Sequence, residues 1–303
     1  MRDQFLSLRN FQSICRQIPE FGLLALGIGL AMLTGGIDLS VVGIASLNAI
    51  IAAFILTKLK MQQGSLEELL IIILTIIVVM LISTLCGFIN GFIISYFKVS
   101  PILVTLGTGG VFLGIGIIVS KSRGITGFPE RFLSIGSDNI WIFPIPIVIF
   151  IFFLLLVVFI LNKTIFGSYI YMVGSNPIAA HFSNINVNLV LIKVYSMSGF
   201  FAGISSLIMI SRANSAKSYY GSSYLLLSVL ICILGGIVDT GGSGSISGLF
   251  MAIIILQLLQ SIFNMFAINP FVRNIAWGSI LIIVMIINFF IEEYRKKAIR
   301  NRH

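Results

Sequence analysis

LLIIILTIIVVMLISTLCGFINGFIISYF, residues 69–97, contains no charged side chain. A helix needs about 20 such residues to cross the hydrocarbon core of a bilayer. Similar runs recur along almost the whole chain, which is 58% hydrophobic and 10% charged over 303 residues, with a mean hydropathy of +1.09. Soluble domains carry about 25% charged residues. The sequence therefore predicts an all-α, polytopic helical membrane protein.

Uncharged runs between charged or turn-rich breaks predict about nine transmembrane helices. They lie at 21–36, 41–57, 69–97, 101–120, 140–162, 189–210, 223–238, 245–267 and 272–291. A transmembrane β-barrel would instead alternate apolar and polar residues in segments of about ten. The hydrophilic connections are too short to form a soluble domain. We therefore expect residues 1–303 to be one membrane domain, with a short N-terminal segment (1–20), a long loop (163–188) and a basic tail (292–303).

Four glycine pairs, each with three residues between its members, predict close contacts between helices, because another backbone can approach a position without a side chain. The pairs are Gly87/Gly91, Gly110/Gly114, Gly199/Gly203 and Gly244/Gly248.

The basic residues bear on orientation and on partners. Five of them follow the last apolar run, at Arg295, Lys296, Lys297, Arg300 and Arg302. Cytoplasmic loops are enriched in Lys and Arg, so this tail predicts a cytoplasmic C-terminus, with 163–188 inside and 121–139 outside. The other basic residues are scattered between apolar runs, so the net charge of +9 does not indicate a nucleic-acid partner.

The segment Gly35-Gly36-Ile37-Asp38-Leu39-Ser40 separates two apolar runs. Adjacent glycines interrupt a helix, and Asp38 is a good N-cap for a helix that starts near Leu39. An aspartate at the centre of a bilayer costs about 2.5–3.5 kcal/mol, so Asp38 must be partnered, capped or exposed to water. Two interpretations stay open: a cap at the membrane edge, or a broken helix that lines a translocation path.

Three segments in order along the chain form a pattern: TGGIDLSVVGIASLNAIIAA (34–53), a loop that contains Phe166-Gly167 and Gly174-Ser175-Asn176, and a late stretch with ILGG (233–236) and GGSGSISG (241–248). Over about residues 10 to 291 this pattern resembles ribose-type permeases, the membrane subunits of ATP-binding-cassette importers for monosaccharides and autoinducer 2. The resemblance implies a bacterial inner-membrane protein that pairs with a second permease copy or a paralogue. It also implies an extracytoplasmic sugar-binding protein and a cytoplasmic ATPase as partners, besides membrane lipid.

The residues agree with a separate ATPase, because the chain has no G-x-x-x-x-G-K-[ST] phosphate loop. We expect no enzyme activity, no cofactor and no metal; Cys15, Cys86 and Cys232 have no metal or redox spacing. The family usually has ten helices, with one more before the GGIDLS segment. That helix is missing here, so either the chain starts late or a nine-helix version places the N-terminus outside.

The loop 163–188 contains a predicted short helix, since Asn176 can cap it and Pro177 suits its first position. Ile178 and Phe182 would share one face. The residues alone are compatible with an amphipathic helix lying on the membrane, whereas the resemblance implies a helix that couples to the ATPase. The predicted coupling residues are Asn176, Pro177, Ile178, Ala179, Ala180, His181, Phe182 and Ser183. The chain departs from the family's usual loop at Pro177, His181 and Asn184, where Glu, Arg and Gly are common.

Polar residues within the apolar runs are the candidate solute contacts. They are Asp38, Asn48, Asn90, Thr105, Thr108, Gln257, Gln260 and Asn264. Amides and hydroxyls can bond a neutral sugar without burying a charge, but they also join helices to one another. The last three lie at i, i+3 and i+7, so they form one polar stripe on their helix.

Other functions remain open. A permease for nucleosides or branched-chain amino acids would fit the same architecture, although Lys193 is the one basic residue we expect inside the membrane. An ion-coupled secondary carrier usually needs intramembrane carboxylates, and only Asp38 qualifies. An intramembrane enzyme is disfavoured, because no paired nucleophile and base is evident.

Overall fold

The computed structural model describes residues 7–59, 64–219 and 221–300, without the side chains of residue 289 and of 291–300. The fold is almost entirely helical. The helices are α1 (Leu8–Leu33), α2 (Val41–Lys58), α3 (Leu66–Phe97), α4 (Pro101–Ser120), α5 (Glu130–Ser137), α6 (Ile145–Lys163), α7 (Ile165–Ser175), α8 (Pro177–Phe182), α9 (Val187–Ala213), α10 (Tyr224–Leu234), α11 (Ile246–Met265) and α12 (Pro270–Arg300). Four two-residue strands form two antiparallel pairs: β1 (Ile125–Thr126) with β4 (Ser215–Ala216), and β2 (Asn139–Ile140) with β3 (Phe143–Pro144).

Eight helices of the described chain are long and apolar enough to cross a membrane. The all-α membrane class is confirmed, but the predicted seventh helix, 223–238, is shorter than expected. It is α10, which has 11 residues and a length of about 16 Å, against a hydrocarbon core of about 30 Å. Gly235 and Gly236 end it, and Gly236 has a φ of +79°, which a helix cannot accommodate.

The first predicted helix, 21–36, is also different in the structure. α1 begins at Leu8 and continues through Pro19 and Glu20 to Leu33 as one helix. From Ile18 onward every residue of α1 is buried, and α6, α9, α10 and α11 pack around it. Close packing is possible because Gly27 has no side chain: a Cβ there would lie 3.1 Å from the Cα of Ser198. α1 is therefore the centre of the bundle.

One end of the bundle, which we call the hairpin face, carries both strand pairs. Arg16 of α1 donates to the carbonyl of Ser137 (2.8 Å), so the start of α1 lies at this face. Arg131 donates to the carbonyl of Ser65 (3.2 Å) and brings the α2–α3 connection to the same place. Ser261 near the end of α11 donates to the side chain of Asn10 (3.2 Å).

The opposite end, which we call the motif face, carries the α1–α2, α3–α4, α7–α9 and α10–α11 connections. The helices alternate in direction, so each connection that is not at the hairpin face lies at this end. α10 begins beside Glu20 near the hairpin face, and the segment that follows it reaches the motif face, where Gly242 donates to the carbonyl of Leu33. This alternation agrees with the predicted placement of 163–188 and 121–139 on opposite sides. The side chains of Arg295, Lys296, Lys297 and Arg300 lie outside the described residues, as does Arg302 entirely, so which side is cytoplasmic stays a prediction.

Three of the four glycine pairs make the close contacts that the sequence predicts. Gly87 and Gly91 of α3 face Gly199 and Gly203 of α9: a Cβ on Gly87 would lie 2.2 Å from the carbonyl oxygen of Tyr195, and one on Gly199 would lie 2.2 Å from that of Ser83. The pair Gly244/Gly248 packs against the end of α10. Gly110 and Gly114 on α4 make no such contact within this chain, because no described atom lies within 4 Å of a Cβ placed there.

Candidate translocation and coupling sites

The three motif segments, far apart in sequence, meet at the motif face. Gly242 of the late segment donates its N–H to the carbonyl of Leu33, just before the first segment (3.0 Å). A Cβ on Gly174 of the loop segment would lie 2.0 Å from that same carbonyl oxygen and 2.4 Å from the nitrogen of Gly242. Tyr171 donates its hydroxyl to the carbonyl of Gly244 (3.1 Å). Gly174 and Gly242 must therefore be glycine, because the backbones of the motif segments are in direct contact and leave no space for a side chain.

Asp38 lies at the centre of a buried polar cluster and is fully inaccessible to solvent. Its Oδ1 accepts from the amide (3.0 Å) and the hydroxyl (2.6 Å) of Ser40. Its Oδ2 accepts from the hydroxyl of Ser198 on α9 (2.7 Å). Asn90 of α3 donates to the Ser40 hydroxyl (2.7 Å). Charge-assisted hydrogen bonds of this kind are the strong ones. The cluster therefore fixes residues 35–40, which lie between α1 and α2 and which we call the interrupted segment, to α3 and α9.

The interrupted segment is also fixed to α4. Thr105 accepts from the amide of Leu39 (3.1 Å) and donates to the carbonyl of Pro101 on its own helix (2.8 Å). The prediction that Asp38 caps a helix starting near Leu39 is wrong in detail. α2 starts at Val41 with Ser40 at the capping position, and Asp38 instead bonds the backbone two residues ahead, as aspartate does in turns.

Two other candidate contacts lie apart from this cluster. Asn48 is fully buried in α2 and donates to the carbonyl of Ile44 (2.8 Å), while its carbonyl oxygen has no partner among the described residues. Thr108 donates to the carbonyl of Val104 (2.9 Å) and is partly buried. The carbonyl oxygen of Asn90 likewise has no described partner. Unpaired amide oxygens in a fully buried site are unusual.

The polar stripe on α11 extends from the interior to the hairpin face, away from Asp38. Gln257 is fully buried, and neither atom of its amide has a partner among the described residues. The Oε1 atom of Gln260 is also buried and has no hydrogen-bond partner among the described residues. Asn264 is exposed and accepts from Arg273. No hydrogen bond found in the described chain joins this stripe to the Asp38 cluster, so the eight candidates do not form one site.

The short helix predicted in the loop is present as α8. Asn176 accepts from the amides of Ile178 and Ala179, both at 3.0 Å, and Pro177 is the first helical residue. At the other end, Asn184 has a φ of +61° and the amide of Ile185 donates to the carbonyl of Ala180 (3.1 Å), as in a Schellman motif. Asparagine tolerates this left-handed conformation, which explains how it stands where the resemblance leads us to expect glycine.

α8 is attached to the bundle on one side and open on the other. Ala180 is 2% exposed, whereas Ile178 is 71% and Phe182 85% exposed. His181 is exposed beside them. Ile178 and Phe182 therefore form an apolar surface that the described chain leaves uncovered. Lys193, which the sequence places inside the membrane, is exposed near this face with its Nζ 5.6 Å from the centre of the Phe166 ring.

The sequence missed a second buried carboxylate, Glu20 of α1. It is fully buried, and Arg212 at the end of α9 donates to both of its carboxylate oxygens through Nε and Nη2. Tyr224, the first residue of α10, donates its hydroxyl to Oε2 (2.7 Å). The sequence does show that Glu20 and Arg212, which have opposite charges, each lie at one end of an apolar run, and both of these ends lie towards the hairpin face. This ion pair joins three helices beside the start of α10.

Tyr195 of α9 was also missed, because an aromatic residue in an apolar run usually indicates core packing. It is fully buried, and its hydroxyl has no hydrogen-bond partner among the described residues. The hydroxyl lies against Gly36, where a Cβ would be only 2.4 Å away. One helical turn further along α9, Ser198 bonds Asp38. Tyr195 therefore borders the same interrupted segment.

Comparison with known proteins places these features in context. A family model described as "Branched-chain amino acid transport system / permease component" matches residues 10–289. Similar curated proteins include the autoinducer 2 import system permease protein LsrD of Escherichia coli (strain K12) and of Shigella flexneri. Each is 32% identical over 271 residues, which cover 88% of this chain and 79% of the relative. No solved structure matches significantly.

Proposed function

Because this chain belongs to the permease component family of branched-chain amino acid transport systems, we propose that it is the membrane-spanning subunit of an ATP-binding-cassette importer. The solute is a monosaccharide or a sugar-like small molecule, delivered by an extracytoplasmic binding protein. A separate ATPase subunit supplies the energy. The observation that carries this proposal is α8, an exposed and firmly capped helix beside the three converging motif segments.

The ATPase binds at the motif face, which is then cytoplasmic. Ile178 and Phe182 project from α8 as two apolar side chains on one side of a short helix. An amphipathic helix of this kind fits a hydrophobic groove on a partner. Asn176 caps the helix and directly follows α7, while Ala180 is 2% exposed and attaches the helix to the bundle, so a displacement of α8 reaches the motif segments directly.

The buried interior favours a neutral solute. In the described part of the chain no Lys or Arg side chain is fully buried, and the partly buried Arg212 is bonded to Glu20. In this fully buried interior, a carboxylate such as that of a branched-chain amino acid would therefore lack a cationic partner. Amide oxygens without a partner among the described residues are present instead, on Asn48, Asn90 and Gln257, and these can accept hydrogen bonds from hydroxyl groups. We propose that these three of the eight polar candidates contribute to the path through their amide groups.

Asp38 argues against an ion-coupled carrier. Such a carrier needs a carboxylate that exchanges its proton or cation during the cycle. Both carboxylate oxygens of Asp38 are already bonded, by Ser40 and Ser198. We assign Asp38 the role of holding the interrupted segment in place.

The second permease copy, identical or paralogous, packs against α4. Gly107, Gly110 and Gly114 leave this helix open, with no described atom within 4 Å of a Cβ on any of them. Every other glycine pair in the chain is closed by a neighbouring helix or turn.

The experiment is ATP-dependent uptake by proteoliposomes that contain this chain, its binding protein and its ATPase. Ile178→Asp combined with Phe182→Asp places two charges on the apolar surface of α8, and we expect uptake and ATPase association to be lost. The matched controls are Ile178→Val with Phe182→Leu, which keep the surface apolar, and Ile165→Asp, a charge at a 71% exposed site of the neighbouring helix. Normal uptake in the double aspartate variant would remove the coupling assignment, and uptake driven by an ion gradient alone would refute the proposed function.

A further inference from the structure

A cavity of about 570 Å³ lies at the motif face between α8, the end of α3 and the start of α9. Thr34, Gly36 and Tyr195 line its inner part, next to the interrupted segment. Pro177 and Ile178 of α8 line another part. One concave space thus borders both the helix assigned to ATPase binding and the segment that holds Asp38. Its volume is in the range of small-molecule sites, about 300–1,000 Å³.

Tyr195 provides an independent indication that this cavity is occupied in the working protein. Its side chain is fully buried, and its hydroxyl is unpaired within the described residues. Leaving a buried polar group unpaired costs about 1–3 kcal/mol, so buried groups in native proteins nearly always have a protein, water or ligand partner. The hydroxyl touches Gly36, which lines the same cavity. A ligand in the cavity would supply the missing hydrogen bond.

The lining defines the chemical class of that ligand. Ile94, Val99 and Leu191 give apolar walls that suit the C–H faces of a sugar ring. Lys98 and Asn188 add hydrogen-bond donors. Among the described residues that line the cavity there is no carboxylate. This combination suits a small uncharged molecule with several hydroxyl groups better than a zwitterion, which needs an anionic partner for its ammonium group.

We propose that this cavity is the release-side binding site for a neutral, polyhydroxylated solute of monosaccharide size, with the Tyr195 hydroxyl as its buried hydrogen-bond partner. The proposal rests on the proposed function and deepens it by assigning where the solute is held before it leaves. Because Pro177 and Ile178 form part of the wall, a displacement of α8 by the ATPase changes the shape of the site. Tyr195 is thus a solute-binding residue, one helical turn from the Ser198–Asp38 bond.

The test is protection of an introduced cysteine in the full chain, held in lipid nanodiscs. Val99→Cys lines the cavity at a site that is 39% exposed, and Ile165→Cys, 71% exposed, is the control outside it. The native Cys15, Cys86 and Cys232 are buried, so a hydrophilic maleimide labels the introduced thiol. The probes are D-ribose, D-galactose and autoinducer 2, with L-leucine as the zwitterionic comparison.

We expect a hydroxylated probe to slow labelling of Val99→Cys and to leave Ile165→Cys unchanged. Tyr195→Phe should raise the half-protecting concentration about fivefold, the effect of one neutral hydrogen bond. Leu191→Trp, which fills the cavity from its wall, should abolish protection and gives a second variant if Tyr195→Phe folds poorly. Protection by L-leucine alone, by no probe at all, or equal protection in Tyr195→Phe would overturn the proposal. ATP-driven uptake is measured in parallel and tests the proposed function separately. If uptake occurs but no probe protects Val99→Cys, the cavity is not a solute site, whereas the proposed function stands.

Discussion

The ion pair between Glu20 and Arg212 gives the sharpest prediction about stability. Glu20→Ala leaves the guanidinium of Arg212 and the hydroxyl of Tyr224 without the carboxylate that they share. Breaking a fully buried ion pair by removing one partner costs about 3–5 kcal/mol; because the Arg212 side chain is 32% exposed and can be solvated, we expect about 2–4 kcal/mol here. At about 2–4 °C for each kcal/mol, the ratio for chains of 150–250 residues, the midpoint of thermal unfolding should fall by about 4–16 °C.

The assay is the fraction of monodisperse protein after heating in a fixed detergent and lipid mixture, followed by size-exclusion chromatography. Glu20→Gln keeps an acceptor for Tyr224 and removes only the charge, so we expect a smaller loss, about 1–3 kcal/mol. Glu67→Ala is the matched control, because Glu67 is an exposed carboxylate in the first turn of α3. Exposed substitutions usually change stability by less than about 0.5 kcal/mol.

The double variant Glu20→Ala with Arg212→Ala separates pairing from side-chain loss. Residues that act as a pair show a coupling energy of about 0.5–3 kcal/mol, so the double variant should be more stable than the two single losses added together. Additive losses, or a Glu20→Ala protein as stable as Glu67→Ala, would refute the assignment of a structural ion pair.

Two further predictions concern the motif face. Gly174→Ala should sharply reduce the yield of folded protein, measured by fluorescence-detected chromatography, because its Cβ would lie 2.0 Å from the carbonyl oxygen of Leu33. Gly278→Ala is the control and should keep normal yield, because no described atom lies within 4 Å of a Cβ on this residue of α12. Asp38→Asn should lower stability by about 1.5–3 kcal/mol, since its bonds to hydroxyl donors lose their charge, and Ser198→Ala should cause a smaller loss in the same thermal assay. Unchanged stability in both would contradict the role given to the Asp38 cluster.

The parts of this fold that the sequence predicts are those set by local signals. The predicted helix 41–57 is α2, Val41–Lys58 in the structure. α8 is found as expected, because the cap at Asn176 and the proline after it act within one helical turn. α3 begins slightly earlier than expected, at Leu66, because Ser65 caps it and two glutamates occupy its first turn, where negative charge is favourable.

The parts that the sequence does not predict depend on distant partners. Charge in the first helix suggested a boundary near residue 20, yet α1 continues because Arg212, 192 positions away, neutralises Glu20. Residue type identifies the candidate solute contacts, but it does not reveal that both carboxylate oxygens of Asp38 accept hydrogen bonds while the amide of Gln257 has no partner among the described residues. Tyr195 can be recognised as a candidate binding residue only from the structure, in which its buried hydroxyl has no hydrogen-bond partner among the described residues.

The contact between α3 and α9 restricts how this protein can move. Their backbones touch at Gly87 and Gly199, so sliding one helix along the other would push side chains into the space that only glycine leaves. The two helices must therefore turn together as one rigid body. At the motif face, α3 continues into Lys98 and α9 is preceded by α8, so a tilt imposed on α8 would move the hairpin ends of both helices together.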